Sequence, residues 1–248
     1  MELFVFCWLS ERQLLSGERG RTDSARVSRT RRVSRLVKRG FNLLFVRPVA
    51  LYRLIRDNGI LKVLRQQPVI AAGPSTYLDL KGKVTLKGKL ILACVRAGLR
   101  HAGTSLFVHP EGELVVNGET ELHRGADVEV LRGGKLIFEG GSRFNTGATI
   151  SCATLIRVGK GVMAGPNVTI RDNSGGHWVN MPSYKNAKPV EIGEHAWLCE
   201  GCTIMPGVKI GSGAIVGARA VVFGNVPANT MVIGNPAEVV CEDVQWKY

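Results

Sequence analysis

The sequence predicts an all-β solenoid, a parallel β-helix, with a short α-helical segment ahead of it. Two observations carry this. Ile192, Leu198, Ile204, Ile210, Val216 and Val222 follow one another at a strict spacing of six, and Ala196, Cys202, Val208, Ala214 and Ala220 stand four positions after the first five. Glycine interrupts the same stretch every few positions, at Gly193, Gly201, Gly207, Gly211, Gly213 and Gly217.

An α-helix turns through about 600° in six residues, so successive members of such a series would point in different directions. Long strands fail as well, because glycine breaks them. A short strand followed by a corner, repeated, satisfies both observations. The branched apolar residue points into a narrow core, a glycine or small residue turns the backbone, and a small apolar residue fills the next corner. Three units make a triangular coil of about 18 residues, and stacked coils form continuous parallel sheets. The same step recurs in Phe138, Phe144 and Ile150 and in Val158, Ala164 and Ile170. Upstream it loosens: Leu80, Leu86 and Leu92 lie six apart, whereas Leu114, Leu122, Val130 and Phe138 lie eight apart. The solenoid is expected over 75–241, with 242–248 as a C-terminal tail.

The segment ahead of it differs in character. Of the net charge of +13, residues 1–40 supply +6 from ten Lys/Arg and four acids. Residues 41–74 supply +4 from five and one, which leaves the rest of the chain near neutral. Residues 1–40, rich in Arg and Ser and without periodicity, are expected to form a disordered basic tail. Phe41 to Gln67 places Leu44, Phe45, Leu51, Tyr52, Leu54, Ile55, Leu61 and Leu64 at helical intervals among basic residues. Such an amphipathic segment either packs on the end of the solenoid or makes peripheral contact with a membrane surface. The main domain lacks the basic face that nucleic-acid binding requires, so no nucleic-acid partner is expected.

The six cysteines form no dense framework, and free thiols in a cytoplasmic protein are expected. Cys199-Glu-Gly-Cys202, with His195 upstream, has a C-x-x-C spacing but no second pair, so no metal is expected. No apolar run approaches the roughly 20 residues of a spanning helix, and the flanks of Met1–Leu9 are wrong for a secretory signal.

The segment VEIGEHAWLCEGCTIMPGVKIGSGAIVGARAVVFGNVPANTMVIGNPAEVV resembles the hexapeptide-repeat acyltransferases, in particular the maltose, galactoside and capsular-polysaccharide O-acetyltransferases. The resemblance covers about Phe138 to Val240 and extends more weakly back to about residue 77. It implies a left-handed coil, a homotrimer with active sites between subunits, and acetyl-CoA as acyl donor.

The regular step breaks between Ile170 and Ile192, a gap of 22 that reads as one coil of about 18 residues plus four extra. The loop beginning Arg171-Asp172-Asn173-Ser174-Gly175-Gly176-His177-Trp178 contains one histidine. Transfer of an acyl group to a hydroxyl needs a base near neutrality, which histidine supplies. In the resembled family the catalytic histidine follows a G-P-x-V-T-I segment; here Gly165-Pro166-Asn167-Val168-Thr169-Ile170 precedes His177.

Asp172 is read either as a partner of the imidazole or acceptor, or as a turn-former. Asn145 falls where the family binds the acceptor, and a solenoid corner favours asparagine equally. Trp197 precedes inward Leu198, so it points outward, toward either a subunit contact or the active site, where the resemblance counts it among the acetyl-CoA-binding residues. Gly201, Gly217 and Ala218 match positions where small size admits the pantetheine arm, though coil turning needs the same residues. The family's Gly-Ala-Gly is Gly217-Ala218-Arg219 here, and Glu238 stands where a basic residue is common, so Arg219 is the candidate for attracting a CoA phosphate.

The expected activity is acetyl transfer from acetyl-CoA to a hydroxyl of a sugar or surface-polysaccharide precursor. Transfer to an antibiotic or other small alcohol, and a non-catalytic scaffold, are the alternatives. A solenoid carbonic anhydrase needs three zinc-binding histidines, and only His177 and His195 lie in the regular region. His101, His109 and His123 lie upstream and are read as structural or solvated.

Overall fold

A computed structural model describes residues 70–72, 76–94, 103–177, 179–181 and 183–247, all within the unit Arg53–Tyr248. The expected basic tail and nearly all of the expected helical segment lie outside them. The described residues form a three-faced solenoid, a left-handed parallel β-helix.

Face A stacks, in order, Ile70–Ala72, Leu90–Cys94, Thr120–His123, Ser142–Phe144, Met163–Ala164, Trp197–Leu198, Ile215–Val216, Met231–Gly234 and Ala237–Cys241. Face B stacks Thr76–Leu80, Thr104–Val108, Asp127–Val130, Thr149–Cys152, Thr169–Arg171, Thr203–Ile204 and Val221–Val222. Face C stacks Lys83–Leu86, Glu113–Val116, Lys135–Phe138, Leu155–Val158, Val190–Ile192 and Lys209–Ile210. The pairing within each face is parallel except at the end of face A, where Met231–Gly234 and Ala237–Cys241 form an antiparallel hairpin. The hairpin covers the edge that the last coil would otherwise present to another chain.

Register explains the two spacings. On face C, Glu113 pairs with Lys135, Lys135 with Leu155, and Glu191 with Lys209, so apart from the coil between Ile156 and Val190 the chain consumed per coil shrinks toward the C-terminal end. The strands shorten in step, from Glu113–Val116 and Lys135–Phe138 to the two-position strand Lys209–Ile210. A four-residue strand buries two alternate positions, as in Leu114 and Val116, so steps of six and of eight both occur among the longer strands, and the two-position strands keep a strict six. Inward columns remain continuous across the change: Val116, Phe138, Val158, Ile192 and Ile210 stack in register, all buried. Each such side chain contributes about 1.5–3 kcal/mol of transfer free energy. Phe138 and Phe144 meet edge to face at the centre, ring centroids 5.8 Å apart.

Two expected boundaries move. The solenoid already includes Ile70–Ala72, which pairs with Leu90–Cys94, ahead of the boundary expected at residue 75. So short a strand cannot show a period by itself. The segment after Cys241 is not a loose tail, because Val244 N donates to Asn229 O at 2.8 Å and Trp246 packs on His195.

Candidate active site

The histidine-bearing loop leaves the corner between faces B and C. Ile170 ends on face B and Ile192 lies on the next face, C, so no full coil intervenes. Ile156 pairs with Val190, whereas in the next coil Glu191 already pairs with Lys209. The first span is nearly twice the second. The surplus at this one corner is close to a coil in length, yet it forms a loop, not the bulged coil expected. A gap of 22 fits both arithmetics, and only the pairing separates them.

The loop is tied internally. Asn173 bridges Ala187 antiparallel, Ser174 N donates to Asn186 O at 3.0 Å, and Lys188 N donates to Asp172 O at 2.8 Å. Gly175 and Gly176 turn the chain with φ of 73° and 81°. His177 follows with its side chain exposed, while its carbonyl accepts a hydrogen bond from Tyr184 OH at 2.9 Å. Tyr184 OH also meets Ser174 Oγ, so the backbone of His177 is fixed while its imidazole is presented outward.

Asp172 does not serve as partner to the imidazole. It is fully buried, and its carboxylate accepts from Ala153 N and Thr154 N, both at 2.7 Å, and from Thr154 Oγ1 at 2.9 Å. Asn173 Nδ2 adds a bond at 3.1 Å. These bonds occupy the carboxylate and pin the root of the loop to the preceding coil. The turn-former reading is nearer, although the bonds reach back a whole coil instead of staying within the turn.

Asn145 and Trp197 come together. Both line a cavity of about 320 Å³ on face A, with His123, Arg143, Met163, Ala164, Gly165, Trp246 and Lys247. Asn145 Oδ1 accepts from Thr146 N at 2.8 Å, which leaves its amide nitrogen to donate elsewhere. Trp197 points outward as expected, 40% exposed, with Trp246 5.7 Å away between ring centroids. Arg143 is held by two bonds from Nε and Nη2 to Glu121, at 2.7 and 3.2 Å. Sequence reasoning misses the contributions of Trp246 and Lys247, because nothing in the local sequence says that the chain end folds back.

The small residues occupy the corner between faces A and B, where Gly165–Asn167, Cys199–Gly201 and Gly217–Arg219 stack coil upon coil. Gly201 has φ of 67° and only Arg219 Cγ near the place of a β-carbon, at 3.4 Å. Ala218 and Arg219 are exposed beside it. The Arg219 side chain thus lies over Gly201 at this exposed corner. Gly217 is different. A β-carbon there would lie 2.5 Å from Ile233 Cγ2 and 3.0 Å from Val232 O, so its smallness serves the packing of the next coil.

His177 therefore springs from the B–C corner, while Asn145, Gly201, Ala218 and Arg219 belong to the A–B corner and Trp197 to face A. His177 does not line the face A cavity. A wider groove of about 810 Å³ on face C includes none of these residues, and it holds two internal ion pairs, Arg157 to Glu139 at 3.0 Å and Lys209 to Glu191 at 3.1 Å.

Neither half of the C-x-x-C motif is poised for chemistry. Burial pushes the Cys202 thiol up to about 12, and Cys199 is raised by the same cause. His195 stacks on Trp246. Among the described residues no group of His, Cys, Asp and Glu is arranged to hold a metal ion.

The late coils match a known family. The family described as "Bacterial transferase hexapeptide (six repeats)" matches residues 189–224. This chain carries the hexapeptide-transferase repeat. The "Putative colanic acid biosynthesis acetyltransferase WcaF" of Escherichia coli (strain K12) is 50% identical over 60 residues, covering 24% of this chain and 33% of that protein. The "Galactoside O-acetyltransferase" of Lactococcus lactis subsp. lactis is 38% identical over 112 residues, 43% of this chain and 53% of that protein. The chain thus spans between about a third and a half of the length of these hexapeptide relatives. Among solved structures, the "polySia specific acetyltransferase NeuO" aligns with 71% of this chain and 84% of that one, at 19% identity and a TM-score of 0.47.

Proposed function

We propose that the protein is an acetyltransferase that moves an acetyl group from acetyl-CoA to a hydroxyl of a sugar, a precursor of a surface polysaccharide, with His177 as general base. The observation that carries this reading is the long loop at the B–C corner. It is pinned at its root by Asp172 and braced by Tyr184, and it projects an exposed imidazole from a rigid coil. The names of the relatives, a galactoside O-acetyltransferase and a putative colanic acid biosynthesis acetyltransferase, support the acetyl group and the acceptor class.

In this reading His177 accepts the hydroxyl proton as the acceptor oxygen bonds to the acetyl carbonyl carbon. The imidazolium then returns the proton to the departing thiolate, so the base is regenerated. Asn145 donates its amide to the acceptor, and Trp197 lends an apolar wall. The open corner at Gly201 and Ala218 accommodates the donor's arm, with Arg219 attracting a phosphate. Because the two groups of residues sit on different corners, the site is completed between two copies of the chain, in a homotrimer. The free thiols at Cys152, Cys199, Cys202 and Cys241 fit a reducing, cytoplasmic setting, and the charge of residues 1–74 favours contact with an anionic membrane surface.

The test is release of CoA thiol from acetyl-CoA by the full chain against a panel of sugars, antibiotics and simple alcohols. Thiol release that depends on a sugar supports the reading. Release with no sugar preference, or none with any acceptor, overturns it.

A further inference from the structure

We propose that the acceptor is an acidic saccharide, whose sugar ring lies against Trp197 and Trp246 while its carboxylate meets Lys247 at the rim of the face A cavity. The inference rests on the acetyl-transfer reading for the identity of the ligand as acceptor. It concerns only what the cavity selects.

Three observations carry it. First, the charged or titratable residues lining the cavity are His123, Arg143 and Lys247, and no Asp or Glu is among the described residues that line it. Glu121, in register with Arg143 one coil away, accepts from both Arg143 nitrogens and lies 3.5 Å from His123 Nε2, so it balances the guanidinium and leaves Lys247 as the cation of the lining that no carboxylate among the described residues meets. Second, two indoles stand 5.7 Å apart between centroids, tilted at 43°. They offer apolar faces to the C–H surface of a pyranose, and the amide nitrogen of Asn145 offers a donor to a ring hydroxyl. Third, the volume of about 320 Å³ lies at the low end of the roughly 300–1,000 Å³ typical of small-molecule sites. It takes a single sugar ring with its substituents, not a whole coenzyme. An anion entering this partly enclosed site gains a charge-assisted hydrogen bond from Lys247 that a neutral sugar cannot make.

The experiment is titration of the full-length protein with methyl glucuronide and methyl glucoside, followed by quenching of tryptophan fluorescence and repeated with Lys247→Met, Trp246→Phe and free CoA. The glucuronide is expected to bind about tenfold more tightly than the glucoside, the effect of one charge-assisted hydrogen bond. Lys247→Met is expected to narrow that ratio to about threefold or less, and Trp246→Phe to diminish the quenching. Equal affinities for the two glycosides in the parent overturn the proposal. So does competition between CoA and the glucuronide for the same quenching, which assigns the cations to the donor's phosphates. The readout is binding, so it stands apart from turnover. A preference for the glucuronide without acetyl transfer to it leaves the cavity's selectivity in place and removes the transferase reading instead.

Discussion

Trp246 lies flat on His195, ring centroids 4.0 Å apart and planes 2° from parallel. Trp246 Nε1 donates to the His195 carbonyl at 3.0 Å, and His195 Nε2 lies 3.1 Å from the Trp246 carbonyl. His195 adopts φ of 53°, a left-handed conformation that an L-residue holds only where its surroundings insist. The stack therefore does two things: it fixes an unfavourable corner, and it brings the chain end across face A to wall the cavity beside Trp197.

Removing the indole should be felt in stability. Trp246→Ala loses a stacked pair of about 0.5–1.5 kcal/mol and a hydrogen bond of about 1 kcal/mol. At about 2–4 °C per kcal/mol for a domain of this size, the melting temperature is expected to fall by roughly 4–8 °C. Trp246→Phe should recover part of the loss. Thermal denaturation of the three proteins checks this, and an unchanged midpoint for Trp246→Ala would show that the chain end does not brace the coil.

Asp172 is the second point of attachment. Substitution by Ala strips the acceptor from Ala153 N and Thr154 N, leaving donors in a part-buried site without their partner. Bonds to charged groups are worth about 1.5–3 kcal/mol each and part is regained from water, so the loss is expected to be about 3 kcal/mol. Denaturant unfolding measures it. Activity should fall as well, through a loosened loop, with acetyl-CoA binding less affected because that corner is elsewhere. A stability loss under about 1 kcal/mol, the worth of a single ordinary hydrogen bond, would contradict the anchoring role.

What the sequence reveals and what it hides follow a physical division. The repeat phase is legible because each inward position needs the same chemistry: Ile192, Leu198, Ile204, Ile210, Val216 and Val222 are all buried. Trp197 can be placed outward from its neighbour's phase alone. The size of the His177 loop is not legible, since a gap of 22 suits either a bulged coil or a long corner. Asp172 looks like an ordinary turn residue because its partners lie in the coil beneath, and finding them requires the register that sets Arg171 against Ser151. Gly217 is hidden for a related reason. A glycine that admits a ligand and one that admits Ile233 look alike in sequence, and the neighbour decides.

Thiol reactivity gives a test of the core that needs no substrate. The Cys202 thiol is pushed up to about 12 by burial, and Cys152 is raised further by burial and the adjacent Asp172 carboxylate. Raised thiol values mean the reactive thiolate appears only as pH climbs toward them. At pH 8 about one Cys202 in ten thousand is ionised. Iodoacetamide at pH 8 should therefore label exposed Cys241 and spare Cys152 and Cys202 until denaturant is added, as read by peptide mass spectrometry. Rapid labelling of Cys202 in the native protein would mean the coil is not closed around it.

Arg219 holds φ of 57° at the place where the resembled acyltransferases commonly have glycine. Left-handed backbone costs an L-residue about 1–2 kcal/mol and glycine almost nothing, while glycine gives back some of this as entropy. Arg219→Gly is expected to raise stability by about 0.5–1 kcal/mol. If the guanidinium attracts a CoA phosphate from this exposed corner, the KM for acetyl-CoA should rise about two- to fivefold, less so at high salt. Measuring both on one variant separates the roles. A stabilised protein with unchanged KM would remove Arg219 from the donor site.

His177 and Asn145 bring the catalytic reading and the assembly into one experiment. His177→Ala is expected to lower turnover by roughly 10²–10⁴-fold, the usual worth of a positioned general base, with an unchanged melting temperature because the side chain is exposed. Asn145→Ala should also impair transfer, through the acceptor. The two residues sit on different corners of one coil stack, so each active site is expected to take one from each of two copies. Co-expressing the two variants in equal amounts should then restore about a quarter of the parent activity, because about one interface in four pairs an intact His177 with an intact Asn145 in a cyclic assembly of randomly mixed chains. Neither variant alone, nor the two mixed without exchange of subunits, should show it. Turnover of His177→Ala within a few-fold of the parent would dismiss the base. Failure of co-expression to restore any activity, with both variants individually inactive, would place His177 and Asn145 in the same chain's site.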